Sequence, residues 1–247
     1  MYQDGRGAVR GVSLAVGKGE FLALIGTSGA GKTTLLKLIN RLVEPTRGTV
    51  RVDGADIAAT DPVRLRRRIG YVFQGIGLFP HLTVAENIAV TLRLLGWPKP
   101  DIVARVSEML DLVRLPRELA ARLPATLSGG QAQRVGVARA LAAKPSIMLM
   151  DEPFGAVDPL TRDALARDYR NLHDALGLTT VLVTHDVLEA VLLADRIAVM
   201  EAGEIVETGA THALLTGAKT EAARALMDMP RRQSERVNRL SAGAAVR

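Results

Sequence analysis

The sequence predicts an α/β fold built on a mainly parallel sheet, and three observations lead there. A continuously apolar run, Phe21-Leu22-Ala23-Leu24-Ile25, stops at Gly26 and gives way to a glycine-rich loop and then a helical pattern; unbroken apolarity is what a strand buried on both faces requires. Strand signals at Ile147 to Met150, Thr179 to Val183, Arg196 to Met200 and Glu204 to Thr208 are separated by helical segments near Pro159 to Leu176 and Val187 to Ala194, an alternation that implies parallel strands. The apolar strand Met148-Leu149-Met150 ends in two carboxylates, Asp151-Glu152, at the end of the strand where ligands bind in open α/β sheets.

Taken in order, Thr33 to Leu42 carries Leu35, Leu38, Ile39 and Leu42 at helical spacing, with Pro45 closing the segment. Thr49 to Gly54 alternates and closes in a turn, and Ile69 to Phe73 reads as a strand. From Thr83 to roughly Arg122 the pattern is helical, broken at Gly96-Trp97-Pro98-Lys99-Pro100. Ser128-Gly129-Gly130 opens a further helix whose apolar face runs through Val135, Ala138, Leu141 and Ala142. These segments form one domain over residues 1–218, with a helical subdomain at about 83–143, and the stretch 219–247 is a helical, basic tail without a domain of its own.

With 247 residues, 48% apolar and 23% charged, the chain supports one large globular core. Aromatic residues are only 3%, which argues against stacking platforms for single-stranded nucleic acid. The net charge of +6 owes much to Arg64, Arg66, Arg67 and Arg68 and to Arg231, Arg232, Arg236, Arg239 and Arg247. Such runs are solvated surface, or they draw the protein to an anionic membrane or an acidic partner loop at about 1 kcal/mol per residue, with nucleic-acid binding the third reading. There is no cysteine, no secretory signal at Met1-Tyr2-Gln3-Asp4, and no apolar run of bilayer length; Val181 to Met200 is interrupted by His185, Asp186, Glu189, Asp195 and Arg196. A role at a membrane would therefore run through a partner.

Gly26-Thr27-Ser28-Gly29-Ala30-Gly31-Lys32-Thr33 fits the phosphate-loop pattern, whose glycines let backbone N–H groups turn toward phosphate oxygens at a helix start. Lys32 would reach the β and γ phosphates, and Thr33 would place its hydroxyl on Mg²⁺. Asp151 would hold the same ion directly or through water, and Glu152 would polarise an attacking water, as general base or as water-positioning group. Leu127-Ser128-Gly129-Gly130-Gln131, lying between those motifs, is either a helix capped by Ser128 or a second phosphate-binding surface that one monomer cannot use alone. Its order among the motifs favours the second reading, and with it a chain that works in pairs.

With these motifs in place the chain resembles the nucleotide-binding subunits of ABC transporters over essentially its whole length. The resemblance implies a P-loop NTPase fold with a mainly parallel sheet core, an antiparallel β subdomain and a helical signature subdomain. It also implies ATP and Mg²⁺, bound by Gly26 to Thr33 with Thr34, and a homodimer in which Leu127 to Gln131 of one subunit closes over the ATP of the other. By the same resemblance Gln74 is the glutamine that senses Mg²⁺ and water, and His185 is the switch histidine that contacts the γ-phosphate. Asp158 is an aspartate at the dimer seam, a helix N-cap before Pro159, or both. Tyr2 is the aromatic residue that stacks on adenine, although it is second in the chain where the family places a strand first, so the true start is expected upstream.

Within the family, the stretch from Gln74 to Ile88 and Asp151-Glu152-Pro153-Phe154-Gly155 resemble bacterial importers. With Arg67 to Val72 included, the similarity is greatest to subunits for quaternary amines such as glycine betaine, choline and carnitine. That implies a transmembrane permease, an external solute-binding protein, no nucleic acid, and a peripheral position on the cytoplasmic face of the bacterial inner membrane. Phe79 and Leu82 would anchor a helix of the permease, or pack internally. The pair of C-terminal regulatory domains common in that group is not expected here. The alternatives are an importer subunit for another small solute such as an amino acid, an exporter subunit, or a soluble ABC ATPase; the last usually needs a coiled-coil insertion or two linked cassettes, and neither is seen.

Overall fold

The computed structural model describes residues 7–75, 77–155, 157–230, 232 and 235. Tyr2, Ile76, Ala156, Arg231, Arg236, Arg239 and Arg247 lie outside the described residues. In chain order the elements are β1 (Phe21–Gly26), α1 (Lys32–Ile39), β2 (Arg51–Val52), β3 (Ala55–Asp56), α2 (Pro62–Arg67), β4 (Ile69–Val72), α3 (Val84–Leu94) and α4 (Lys99–Leu112). They continue as α5 (Gly129–Leu141), β5 (Ile147–Asp151), α6 (Pro159–Leu176), β6 (Thr179–Val183), α7 (Val187–Leu193), β7 (Arg196–Glu201), β8 (Glu204–Ala210), α8 (Thr211–Gly217) and α9 (Glu221–Met227). The fold is α/β: mostly parallel strands, a small antiparallel sheet, and helices. The chain divides into two compact units.

Of the described residues, the first unit comprises Gly7–Ala15, Phe21–Lys32 and those from Val183 onward. Here β1 runs parallel to β7, Leu22 opposite Arg196 and Gly26 opposite Met200, and β8 returns antiparallel along β7. All six residues of β1 are buried, as its continuous apolarity requires. Asp195 locks the start of β1 by accepting from Phe21 N at 2.8 Å. Glu207 of β8 accepts from Thr220 N, Thr220 Oγ1 and Lys219 N at 2.8 to 3.1 Å, fastening the entry to α9. Those donors hold its carboxyl below the usual carboxylate range, the backbone bonds contributing most.

The second unit comprises Val16–Glu20 and Thr33–Leu182. In it β4 and β5 pair in parallel from Ile69 opposite Ile147 to Val72 opposite Met150, and Thr179 N donates to Ser146 O where β6 begins. The expected turn after Val52 is a two-residue hairpin, Asp53-Gly54, joining β2 to β3. Val135, Ala138, Leu141 and Ala142 are buried along α5 as their spacing predicts. Helix α6 starts at Pro159 behind its N-cap Asp158 and stops at left-handed Gly177, both visible in the sequence.

Two expectations need correction. Helix α1 ends at Ile39, because Arg41 adopts a left-handed conformation (φ 55°) and Leu42 N folds back onto Lys37 O at 2.9 Å, while Arg41 N meets Leu38 O at 3.2 Å. This is a Schellman closure, and it carries Leu42 off the apolar face to 47% exposure. The break at Gly96 to Pro100 is also shorter than expected. Pro98 is the N-cap of α4 and Pro100 sits in its first turn, where no intrahelical donor is needed.

Candidate functional site

In the first unit, β1 delivers the chain into the loop from Gly26 to Lys32. Gly26 and Gly31 have φ of 150° and 96°, and an added Cβ would stand 2.1 Å from Met200 O and 2.2 Å from Ala8 O, so no side chain can replace either. Lys32 opens α1 and is 7% exposed. Its Nζ donates to Gly26 O at 2.8 Å and Thr27 O at 2.9 Å, drawing the ammonium across the loop. Thr27, Ser28 and Gly29 are exposed, Ala30 buried. His185, after β6, is exposed and stands directly before Asp186, the N-cap of α7.

In the second unit, residues far apart in sequence meet. Thr33 Oγ1, one residue into α1, donates to Asp151 Oδ1 at 2.8 Å across a separation of 118 residues. Gln74 Nε2, just past β4, donates to Glu152 Oε2 at 2.9 Å. Asp151 is buried at the end of β5. Glu152 has φ 46°, a left-handed conformation costing a non-glycine residue about 1 to 2 kcal/mol and typical of functional turns. A hydroxyl, a carboxylate and a side-chain amide are hard oxygen donors of the kind Mg²⁺ selects. Among the described residues no group of three or more His, Cys, Asp or Glu gathers for a metal, so a cation here would take its remaining ligands from phosphates and water. Burial, and secondarily the Asp151 charge, push the Tyr71 phenol well above its usual range and keep it neutral. Thr34, next along α1, is half-buried.

The segment from Leu127 to Gln131 caps α5. Ser128 Oγ accepts from Gln131 N at 3.3 Å while Gln131 Oε1 accepts from Ser128 N at 3.0 Å, a reciprocal capping box. Ser128 and Gly129 are exposed; Leu127 and Gln131 are half-buried. Gly130 packs against the start of α6, where a Cβ would lie 2.5 Å from Thr161 Cγ2. Asp158 accepts from Thr161 N at 3.0 Å, and the bonds from Thr161, side chain before backbone, hold its carboxyl low. Further along, Asp168 of α6 accepts from Arg134 of α5 and from Arg114, each at 2.9 Å, and Arg134 also donates to Val113 O at 2.9 Å. The Arg134 to Asp168 pair thus ties α5 to α6 partway along both helices, and Gly130 against Thr161 brings their starts together.

Beside Gln74 lies a groove of about 530 Å³, lined by Leu42, Tyr71, Phe73 and Phe79 with Arg67 and Arg139 among its walls. Phe73 and Phe79 are 44% and 42% exposed. The Arg139 guanidinium sits 5.9 Å from both rings and donates to Gly77 O at 2.7 Å; burial lowers its pKa. Leu82 is half-buried and does not line the groove. The reason is Asn87, fully buried on α3, which accepts from Phe79 N at 2.8 Å and donates among the carbonyls of Phe79, Leu82 and Thr83, holding that loop against the helix. Sequence reasoning passed over Asn87 and Arg139; the available signal was a polar residue set within an apolar helical stripe in each case.

A family model described as "ABC transporter" matches residues 9–155. The chain is 51% identical over 221 residues to the glycine betaine/carnitine/choline transport ATP-binding protein of Bacillus subtilis (strain 168), covering 90% of this chain and 58% of that one. It is 51% identical over 209 residues to the glycine betaine uptake system ATP-binding protein of Escherichia coli (strain K12), covering 85% and 68%. The chain thus spans little more than half the length of the first of these relatives. Among solved structures, a dimeric post-hydrolysis state of an ATP-binding cassette bound to ADP and Pi is 35% identical, with a TM-score of 0.75 over 83% of this chain and 90% of that one.

Proposed function

The chain belongs to the ABC transporter family, whose model matches more than half of it, and on that premise we propose that it is the ATP-hydrolysing subunit of an importer for quaternary-amine osmoprotectants such as glycine betaine or choline. The observation that carries the hydrolytic part is the meeting of Thr33 with Asp151 and of Gln74 with Glu152, at 2.8 and 2.9 Å, from three separate stretches of the chain. In this reading the loop from Gly26 to Thr34 cradles the phosphates with backbone N–H groups and the Lys32 ammonium. Thr33, Asp151 and Gln74 hold Mg²⁺, which when bound offsets the charge that builds on the phosphates. Glu152 takes or orients the proton of the attacking water, and Gln74, bonded to it, keeps its carboxylate in place. His185 contacts the γ-phosphate.

The face formed by Leu127 to Gln131 and Asp158 meets the nucleotide of a second copy. The dimeric cassette bound to ADP and Pi supports that pairing. The groove with Phe79 and Phe73 receives a helix of a membrane permease, so ATP-driven closure and reopening of the pair moves the permease between its states. Among the described residues no helix is long and apolar enough to cross a membrane, which suits a subunit held peripherally at the cytoplasmic face by that permease. An external solute-binding protein completes the importer. The named relatives at 51% identity support the quaternary-amine class.

The test is uptake of labelled glycine betaine, choline, carnitine and unrelated amino acids at high osmolarity in source cells carrying Glu152→Gln. Selective loss of quaternary-amine uptake is expected. Intact amine uptake with loss of another solute would discard the substrate class and keep the ATPase; no change for any solute would argue for export or for a redundant importer.

A further inference from the structure

The loop that presents His185 is held by a buried relay to which the reading above gives no role. Thr184 is 1% exposed and Glu189 8%. Thr184 Oγ1 donates to Glu189 Oε2 at 2.6 Å, and the same hydroxyl accepts from Asp186 N at 3.0 Å. Asp186 accepts from Leu188 N at 2.9 Å and Glu189 N at 3.2 Å. On the other side, Thr184 N donates to Leu24 O at 3.2 Å, fastening the loop to β1, the strand that runs into Gly26. The residues before and after His185 are therefore pinned to β1 and to the first turn of α7, while the imidazole between them stays exposed.

The chemistry of the relay is more than a loop needs in order to fold. A carboxylate is costly to bury, and a hydroxyl-to-carboxylate bond is among the shorter and stronger hydrogen bonds available. A capped helix start would close the turn with Asp186 alone. What Glu189 adds is a fixed direction for the Thr184 hydroxyl: because that proton goes to the carboxylate, the oxygen's lone pairs face Asp186 N. The backbone after His185 is then held by the Thr184 side chain, and the backbone before it by the Thr184 N–H bond to Leu24 O. A group that must meet a phosphate within a few tenths of an ångström benefits from such support, since displacement by about 1 Å can cost two orders of magnitude in rate.

We propose that Thr184 and Glu189 are positioning residues that hold His185 in the orientation from which it contacts the terminal phosphate; the inference rests on the reading of His185 given above. The test is a double-mutant cycle on ATP turnover by the full chain. Thr184→Val keeps the branched shape and removes the hydroxyl; Thr184→Ser keeps the hydroxyl. Thr184→Val should lower kcat about tenfold with KM for ATP changed less than about twofold, and Thr184→Ser should restore turnover. In a His185→Ala background, Thr184→Val should cost nothing further, because the residue it positions is gone. Equal losses with and without His185, or equal losses for Val and Ser, would overturn the inference. Should Thr184→Val not fold, Glu189→Leu, which keeps approximate size and removes the acceptor of the Thr184 hydroxyl, enters the same cycle with the same expectation of non-additivity. Full turnover in His185→Ala would sink the reading of His185 itself and the inference with it. A crippled His185→Ala beside an unaffected Thr184→Val would sink the inference alone.

Discussion

Asp168→Asn tests whether α5 and α6, whose starts form the face proposed to meet a second copy, are held together as the structure indicates. Asp168 joins Arg134 of α5, behind the Leu127 to Gln131 segment, with Arg114 at the end of the α4 connection. The two bonds are not equal. Arg114 is 70% exposed, and an ion pair in water contributes about 0 to 1 kcal/mol. The Arg134 and Asp168 side chains are each 18% exposed. Removing one partner of a fully buried pair costs about 3 to 5 kcal/mol, and partial solvation reduces that figure. An amide in place of the carboxylate keeps the shape and one acceptor, so a loss of about 1.5 kcal/mol is expected, or about 3 to 6 °C in melting temperature for a chain of this size. Arg114→Ala should cost under about 0.5 kcal/mol. Thermal and urea unfolding of both variants make the comparison. Equal small losses would refute the reasoning, because they would mean that Arg134 does not depend on Asp168.

Three other predictions follow from individual contacts. Gly70→Ala would set a Cβ 2.3 Å from Met148 Sδ, 2.8 Å from Ala140 O and 3.1 Å from Pro145 Cγ; one of these is backbone, so about 2 to 3 kcal/mol should be lost in urea unfolding, and an unchanged midpoint would contradict the packing between β4 and β5. Thr33→Val removes the donor to Asp151 and a proposed Mg²⁺ ligand, so the Mg²⁺ concentration for half-maximal ATPase should rise about tenfold or more; an unaltered Mg²⁺ titration would remove Thr33 from the metal site. Glu207 titrates below its ordinary value in the folded chain, so its contribution is complete above the unfolded carboxylate value of about 4.3 and fades as pH falls through the folded one. The destabilisation caused by Glu207→Gln should accordingly be full at pH 7 and shrink below about pH 4, and a pH-independent difference would exclude the carboxylate as the cause.

How much could be read in advance depended on how local the cause was. Strand β1 was legible because burial on both faces leaves no polar position, and α6 because Asp158, Pro159 and Gly177 mark both ends. The phosphate loop was legible because its glycines answer to backbone geometry within eight residues. The end of α1 was not, since Arg41 carries none of the usual signals for a left-handed residue and Pro45 offered a plausible stop four residues later. Which of Phe79 and Leu82 lines the groove was not legible, because Asn87, whose side chain decides where the preceding loop lies, differs from an ordinary polar helix position only in its place within an apolar stripe. The Arg134 to Asp168 pair and the Thr184 to Glu189 bond depend on which helix or strand end meets which carboxylate. The left-handed Glu152 likewise follows from the turn after β5 and leaves no trace in composition.

The most direct measurement is the solution mass of the Glu152→Gln chain by light scattering, with and without Mg²⁺ and ATP. A chain of 26.4 kDa that binds ATP without hydrolysing it should roughly double its mass when nucleotide is added and return when it is removed. A mass that stays at one chain while ATP is demonstrably bound would contradict the claim that the segment from Leu127 to Gln131 completes the nucleotide site of a second copy.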